Sequence, residues 1–215
     1  MFTKNGNILK VNGNWLNPHT EPEPPEPYPF DEVTIGTQKW MAKNLDIDDG
    51  GEGVRIRNDL IVNGINFGTQ YYYTWDAANR IASNIPGWHL PNKDDIDLFK
   101  STVESDAERQ HRYNSQMVKS RTGWTRNGSS PLNNVDYYHF NAQPVDFITY
   151  NSNTGTYSGP RTDGYYCCYW GSYFPSSHNV YSIYLSYNSE WLTSVVNDVY
   201  SESTYYRSVR LIKDT

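Results

Sequence analysis

Two adjacent cysteines and five separated histidines are the side chains of this chain best suited to nucleophilic or metal chemistry. In an extended strand, Cys167 and Cys168 point to opposite faces and cannot easily form a disulfide. The histidines stand singly, without a second ligand at metal-binding spacing; they are His19, His89, His111, His139 and His178. Because no nucleophile–base pair, metal cluster or phosphate-binding loop emerges, the sequence predicts a protein that is not an enzyme and holds no metal or cofactor.

One acidic segment, Asp46 to Glu52, is dense in carboxylates, whose oxygen atoms suit Ca²⁺. A calcium-binding EF-hand loop that starts at Asp46 would need a glutamate at its twelfth position, where this chain has Arg57. We therefore interpret the segment as a solvated acidic turn.

Tyrosine offers the clearest binding chemistry in the chain. There are nineteen tyrosines, and fourteen of them lie at or beyond Tyr137, where charged residues are scarce. A tyrosine ring gives rigid contact area with a polar end, which suits sugars and proteins alike. We predict that ligand contacts come from the stretch of about 150–190, and the candidate residues are Tyr157, Arg161, Tyr165, Tyr173 and His178.

The charge of the chain argues against nucleic acid as a partner. Its net charge is −6, its isoelectric point is near 5.3, and no cluster of lysine and arginine is present. No apolar run approaches the roughly 18 residues of a membrane span, so no membrane insertion is predicted. The first seven residues lack the apolar segment of a signal peptide, so export by the usual route is not expected.

The elements that would position these side chains begin near residue 30. The run from Val33 to Met41 predicts a strand, a turn and a second strand. Two helices are predicted, over 74–83 with Thr74 as N-cap and over 92–105 with Asn92 as N-cap. Further on, the segments Tyr165–Tyr169 and Val180–Tyr187 are predicted to be strands joined by loops.

The first thirty residues have a different character. Residues 1–17 carry two Asn-Gly turn signals around a short apolar run, which predicts a small hairpin or extended arm. Residues 18–30 alternate prolines with glutamates and predict a stiff polyproline II stalk. The apolar side chains of the arm either pack on this chain's own domain or dock into another protein, and the stalk favours docking. The candidate anchor residues are Ile8, Leu9, Val11, Trp15 and Leu16.

Residues 31–215 resemble the Fibrobacter succinogenes major paralogous domain family, because several short motifs occur in its order. These motifs are Ile35-Gly36-Thr37-Gln38 with Trp40-Met41 and Asn44-Leu45, Asn58-Asp59, Tyr73-Thr74-Trp75, Gly87-Trp88-His89-Leu90-Pro91, Thr122-Gly123-Trp124, Tyr169-Trp170 and Ser208-Val209-Arg210-Leu211. Each motif is weak alone, but their order makes a specific signal.

The resemblance implies an α+β fold of the C-type-lectin-like superfamily. That fold has two helices, a twisted antiparallel sheet and a long loop region that contacts ligands. It also implies that the strand near 33–35 pairs with a strand near 208–212, as framework at the two ends of the domain. Sugar-binding members hold calcium through a triplet that Gln143-Pro144-Val145 breaks, so no calcium is expected. The enzyme relatives need reactive cysteines or a histidine cluster that this chain does not match.

These features together predict a display protein. The arm is similar to short anchors that begin some structural proteins of phages infecting Bacteroidetes. We therefore expect a phage virion structural or decoration protein, such as a head or tail fibre, that carries a recognition domain for a glycan or protein of the host surface. Its arm would bind a capsid or other virion protein, and stable attachment favours a dimer or trimer. The alternative is a bacterial cell-surface or extracellular binding module of the same fold.

Overall fold

Short aromatic and β-branched runs between Gly, Asn and Ser turns divide this chain into many brief strands. The computed structural model describes residues 30–125, 133–173, 179–189, 192–198 and 205–214, with only the backbone of 10–11, 14–15 and 194–198. The first strands are β1 Lys10–Val11, β2 Asn14–Trp15, β3 Glu32–Ile35, β4 Gln38–Met41, β5 Val54–Arg57, β6 Ile61–Val62, β7 Ile65–Asn66, β8 Gln70–Tyr73 and β9 Trp88–His89. The later strands are β10 Ile148–Asn151, β11 Thr156–Ser158, β12 Tyr166–Tyr173, β13 Asn179–Ser186, β14 Thr193–Asp198, β15 Tyr205–Tyr206, β16 Ser208–Val209 and β17 Ile212–Lys213.

The strands form several small sheets rather than one large one. Two sheets have four strands, in the orders β14-β13-β12-β16 and β3-β4-β17-β9, and one has three strands in the order β11-β10-β15. The remaining pairs are β1–β2, β5–β8 and β6–β7. Among the described strands the pairing is antiparallel except between β12 and β16, where Tyr169 lies beside Ser208 in a parallel register.

The predicted C-type-lectin-like α+β fold is therefore wrong. Strands make up 35% of the structure, spread over these small sheets, and two short α-helices accompany them among the described residues. The two helices carry strong sequence signals, whereas many strands are only two to four residues long and show no alternating pattern. The wrong fold came from the superfamily that the family resemblance implied, and the strands had too little local pattern to correct it. The stretch 150–190, expected to be rich in loops, contains the strands β11, β12 and β13 among its described residues.

The two helices themselves are confirmed. Helix α1 spans Trp75–Ala82, and its N-cap Thr74 accepts a hydrogen bond from the backbone of Ala77. Helix α2 spans Lys93–Arg109, and its N-cap Asn92 forms a reciprocal capping box with Asp95. Helix α2 ends four residues later than the predicted 105, because the buried Ala107 extends its apolar face. A 3₁₀ helix follows at Asn114–Met117.

The predicted pairing of the two ends of the domain is wrong by one strand. Strand β3 pairs with β4 through a turn at Gly36, whose positive φ of 61° suits glycine. It is β4 that meets the C-terminal strand β17, with Ile212 opposite Trp40. The hairpin makes β4 the inner strand, with its Trp40 and Met41 buried, and leaves β3 as an edge with an exposed Glu32.

Strand β12 separates the two main parts of the core. Successive residues point to opposite faces of a strand, so Tyr169 joins one cluster and Trp170 the other. The first cluster contains the buried face of α2, where the rings of Trp40 and Phe99 lie 4.9 Å apart. The second contains the buried face of α1 together with Trp170 and Leu211. The two faces of β12 thereby belong to different parts of the core.

Candidate functional site

Six half-buried aromatic rings gather where β12 begins and β13 ends. We call this group the aromatic surface; its members are Phe147, Tyr165, Tyr166, Tyr184, Tyr187 and Tyr205. Tyr184 lies opposite Cys168, two residues along from Tyr166, so both tyrosines project from the same face of the sheet. Their ring centroids are 5.5 Å apart. Strand register thus brings together tyrosines that are distant in sequence.

Two further contacts extend the aromatic surface in both directions. The rings of Tyr165 and Tyr187 stack at 4.4 Å, and the backbone N–H of Tyr187 donates to the carbonyl of Tyr165. On the other side, the ring of Phe147 lies 6.5 Å from Tyr166 and 5.6 Å from Tyr205. Each ring therefore has at least one aromatic neighbour that restrains it, while part of it stays open to solvent.

The exposed Arg161 borders the aromatic surface. The guanidinium of Arg161 lies 4.9 Å from the ring centroid of Tyr165 and 5.8 Å from that of Tyr166. Its Nε donates to Asp163 at 2.8 Å, and the Arg161 backbone N–H donates to the carboxylate of Asp146 at 3.1 Å. Burial of the Tyr184 hydroxyl raises its pKa above the ordinary value, so this hydroxyl stays protonated and able to donate a hydrogen bond.

The predicted ligand-binding residues do not form one group. Arg161 and Tyr165 meet in the aromatic surface. Tyr173 lies at the opposite end of β12, with its ring 5.6 Å from that of Trp75. Tyr157 belongs to a separate cluster, and His178 lies outside the residues that the structure describes. The binding role of all five is still a prediction.

On the sheet β11-β10-β15, the exposed Tyr157 contacts two tyrosines of the sheet and an arginine of β5. The guanidinium of Arg55 lies 4.0 Å from the Tyr157 ring centroid and also donates to its hydroxyl. The rings of Tyr150 and Tyr206 lie 4.7 and 5.7 Å away. Hydrogen bonds to Tyr206 and Arg55 lower the pKa of Tyr157. Tyr157 is thus restrained by neighbours within the chain although it is exposed, and it lies in a cluster separate from that of Tyr165.

Sequence reasoning missed most of the aromatic surface. Phe147, Tyr166, Tyr184, Tyr187 and Tyr205 were not among the candidates. The spacing of Tyr184 and Tyr187 at one end of a strand was an available signal, but the partner of Tyr184 depends on the β12–β13 register. That register depends on residues far apart in sequence, so no local pattern predicts it.

The anchor residues receive no structural test. Strands β1 and β2 pair antiparallel, with Lys10 opposite Trp15. Val11 and Trp15 lie in these strands without described side chains, and Ile8, Leu9 and Leu16 fall outside the described residues.

The cysteines, the acidic turn and His89, which were considered for nucleophilic or metal chemistry, are buried or make contacts within the chain. Cys167 and Cys168 are buried and form no disulfide, and burial raises the pKa of the Cys167 thiol to about 12. In the acidic turn, Asp49 forms an ion pair with Arg80 at 2.8 Å, and hydrogen bonds from Arg80 and Gly51 lower its pKa to about 2. His89 bridges Asp95 and Asp214, at 3.0 and 2.6 Å, and these bonds raise its pKa. Within the described ranges, no three His, Cys, Asp or Glu residues are grouped to hold a metal ion.

No helix among the described residues has the length and apolar character needed to cross a membrane.

Comparison with known proteins places the described domain in a family. The family model of the Fibrobacter succinogenes major domain matches residues 33–213. No curated protein and no solved structure matches the chain. The match spans most of the chain and includes both main core clusters and the aromatic surface. The chain therefore belongs to the Fibrobacter succinogenes major domain family.

Proposed function

We propose that this chain is a non-enzymatic recognition protein of a phage virion, which binds saccharide on the host surface through the aromatic surface. One observation carries the binding part of the proposal: six restrained, half-exposed rings lie together beside the exposed Arg161. A sugar ring has an apolar C–H face and a rim of hydroxyls. Tyrosine rings offer a flat apolar face with a hydroxyl at the edge, which complements both features.

Display on a particle is supported by the first thirty residues. An apolar arm followed by a Pro/Glu-rich stalk suits a fibre or decoration protein that holds its domain away from a capsid or other virion protein. One short arm buries little area, so its own affinity is low, and a dimer or trimer would strengthen attachment through avidity. The alternative is a binding module of a bacterial cell surface, which the bacterial family match favours.

The first test compares saccharide binding between variants of the full chain. We expect Tyr165→Ala and Arg161→Ala to weaken binding to a surface polysaccharide about tenfold each, because central aromatic and arginine contacts dominate interfaces. Tyr137→Ala is the control, since Tyr137 is a solvent-exposed tyrosine with an aromatic neighbour, Tyr138, outside the aromatic surface. A glycan array followed by titration of the bound saccharide measures the effect.

Two results of this experiment would contradict the binding proposal. In one, the array identifies a saccharide, yet all three variants bind it as tightly as the original chain. In the other, no saccharide binds and a host-surface protein is captured through the same residues.

The second test concerns attachment. Deletion of residues 1–17 is expected to leave the domain folded, as judged by circular dichroism, but to abolish incorporation into particles. The reason is that the proposed docking side chains, including Trp15 and Leu16, are removed. Incorporation is measured by immunoblot of purified virions. Virions that still contain the truncated protein would rule out the arm as the anchor, and detection on bacterial surfaces alone would favour the alternative.

A further inference from the structure

His89 connects two segments that are far apart in sequence. It lies in β9, where it pairs with Ile212 of β17. Its Nδ1 lies 2.6 Å from Asp214 Oδ1, and its Nε2 lies 3.0 Å from Asp95 Oδ2. Asp214 directly follows β17, and Asp95 lies in the first turn of α2. One imidazole therefore joins the C-terminal strand of the domain to the start of a helix.

This geometry requires a proton on each ring nitrogen of His89. An ionised carboxylate only accepts hydrogen bonds, and a neutral imidazole has a single N–H, so a neutral His89 can donate to only one of its two carboxylates. The imidazolium has two N–H groups and can donate to both. Hydrogen bonds to Asp95 and Asp214 raise the pKa of His89 above its ordinary value of 6.5, although burial opposes the change.

The two carboxylates differ in their access to water. The Asp95 side chain is 19% exposed, and its Oδ2 also accepts the backbone N–H of Asn92 at 2.9 Å in the capping box of α2. The Asp214 side chain is 58% exposed, so water can replace a lost donor there. A neutral His89 is therefore expected to keep its N–H on Nε2, toward Asp95, and to lose the bond from Nδ1 to Asp214.

The other charged residues around His89 have partners or lie apart from its ring nitrogens. In the sheet β3-β4-β17-β9 they are Glu32, Lys39 and Lys213, and at the start of α2 they are Lys93, Asp94 and Asp97. Glu32 pairs with Lys39 and Lys213, and Lys93 pairs with Asp97. Asn79 and Ser83 of α1, which line the same small cavity as His89, are uncharged. The proton of His89 thus acts mainly on Asp95 and Asp214.

From this geometry we propose that His89 is a proton-dependent clasp between α2 and the end of β17. When His89 is protonated, it binds both carboxylates and fixes Asp214 against β9. When it loses the proton, Asp214 is released while Asp95 stays bound. The residues of this clasp are not part of the aromatic surface, so the proposal stands apart from saccharide binding.

The direction of the pH effect follows from the raised pKa of His89. Since this pKa lies above 6.5 in the folded chain, the bond to Asp214 contributes its full stabilisation below about pH 6.5. That stabilisation is lost as the pH rises through the pKa of the folded state. The end of β17 should therefore loosen on the alkaline side of neutrality, and acid should tighten it.

NMR spectroscopy of the full chain between about pH 5 and about pH 9 tests the clasp. Long-range ¹H–¹⁵N spectra of the His89 ring report its titration and its tautomer. We expect titration above pH 6.5 and an Nε2–H tautomer once the ring is neutral. The backbone N–H of Asp214 donates to the carbonyl of Gly87 at 2.9 Å. Its protection from hydrogen exchange, corrected for the intrinsic rate, should fall at least about fivefold across the same titration.

Three substitutions distinguish a proton-dependent clasp from a contact that is only structural. Asp214→Asn removes one carboxylate and should lower the pKa of His89, whereas Asp59→Asn, an exposed change outside the clasp, should leave it unaltered. His89→Gln keeps a hydrogen-bonding side chain that does not titrate, so protection of the Asp214 N–H should no longer follow the titration. Because Asp214 is exposed, Asp214→Asn keeps the test available if His89→Gln does not fold.

Four results would overturn the clasp. The first is titration of His89 at or below pH 6.5, and the second is a pKa of His89 that Asp214→Asn does not lower. The third is an Nδ1–H tautomer of the neutral ring, which would mean that Asp95 and not Asp214 is released. The fourth is protection of the Asp214 N–H that changes with pH to the same extent in His89→Gln and in the original chain.

Discussion

Arg210→Met is expected to lower the free energy of unfolding by at least about 4 kcal/mol. The guanidinium is buried and hydrogen-bonds four acceptors, which belong to Met41, Asn44, Phe140 and Asn141. Each buried acceptor left without a donor costs about 1–3 kcal/mol. Because whole domains are stable by about 5–15 kcal/mol, this single change removes much or all of the stability.

Urea denaturation measures the effect, and two companion variants make the result decisive. Arg112→Met replaces an exposed arginine and should change the free energy of unfolding by less than about 0.5 kcal/mol. Arg210→Lys retains a charge and some donors, so it should fall between the original chain and Arg210→Met and stay measurable if Arg210→Met does not fold. A loss below about 1 kcal/mol for Arg210→Met would show that the four bonds contribute little.

For Arg210, a framework position could be predicted from the sequence, but its burial could not. Its motif at the end of the domain was identified as framework through the family resemblance, and its neighbour Val209 lies in a core strand. Its burial was not predicted, because an arginine is rarely buried and only the surrounding carbonyls make that position tolerable. Those carbonyls come from segments that are about 70 and 169 residues away in sequence.

Secondary structure was predicted correctly where the residues that determine an element all lie within that element. Helix α2 followed from an Asn92 cap, acidic residues in the first turn and the apolar positions Ile96, Phe99 and Val103, all within one segment. Strand pairing in the sheets could not be predicted in this way. Trp40 meets Ile212 and Tyr166 meets Tyr184 only because of long-range registers, and strands of two residues have too little pattern to choose a partner.

The candidate site shows the same limit. Arg161 and Tyr165 were predicted from local aromatic density, and the structure brings them together. The five other members of the aromatic surface come from four segments of the chain, so neither density nor spacing could group them. Tyr157 and Tyr173 had the same local character as Tyr165, but strand direction carried them to other neighbours.

Asp146 is the second residue for which a large effect is expected. It is 1% exposed; its Oδ2 accepts the backbone N–H of Arg161 at 3.1 Å, and its Oδ1 has no partner among the described residues. Burial raises its pKa from 3.8 to about 6, although the N–H groups of Arg161 and Phe147 and the Arg161 charge oppose the change. The other titratable groups that act on this region are those of Tyr72, Asp163, Cys167 and Tyr184.

The raised pKa means that Asp146 favours folding most when it is protonated. Its contribution is full below the unfolded pKa of 3.8 and is lost as the pH rises through about 6. The change from 3.8 to about 6 corresponds to about 3 kcal/mol, at about 1.4 kcal/mol for each tenfold change in proton affinity. Above pH 6 the ionised carboxylate therefore lowers the free energy of unfolding by about this amount.

Asp146→Asn should remove this pH dependence, since an amide stays neutral. Asparagine also tolerates the positive φ of 56° at this position, and its oxygen can still accept the Arg161 N–H. Between about pH 4 and pH 8, we expect the original chain to lose about 2–3 kcal/mol of unfolding free energy relative to the variant. Urea denaturation of both proteins at both pH values measures this difference. Asp59→Asn is the matched control, because Asp59 has a positive φ of 49° but is exposed. If the two variants show the same pH dependence, the carboxyl of Asp146 is solvated by water and not by the protein.

Since the hydrogen bond to the Arg161 backbone survives in Asp146→Asn, saccharide binding should also survive. That result would separate the effect on stability from the role of the aromatic surface.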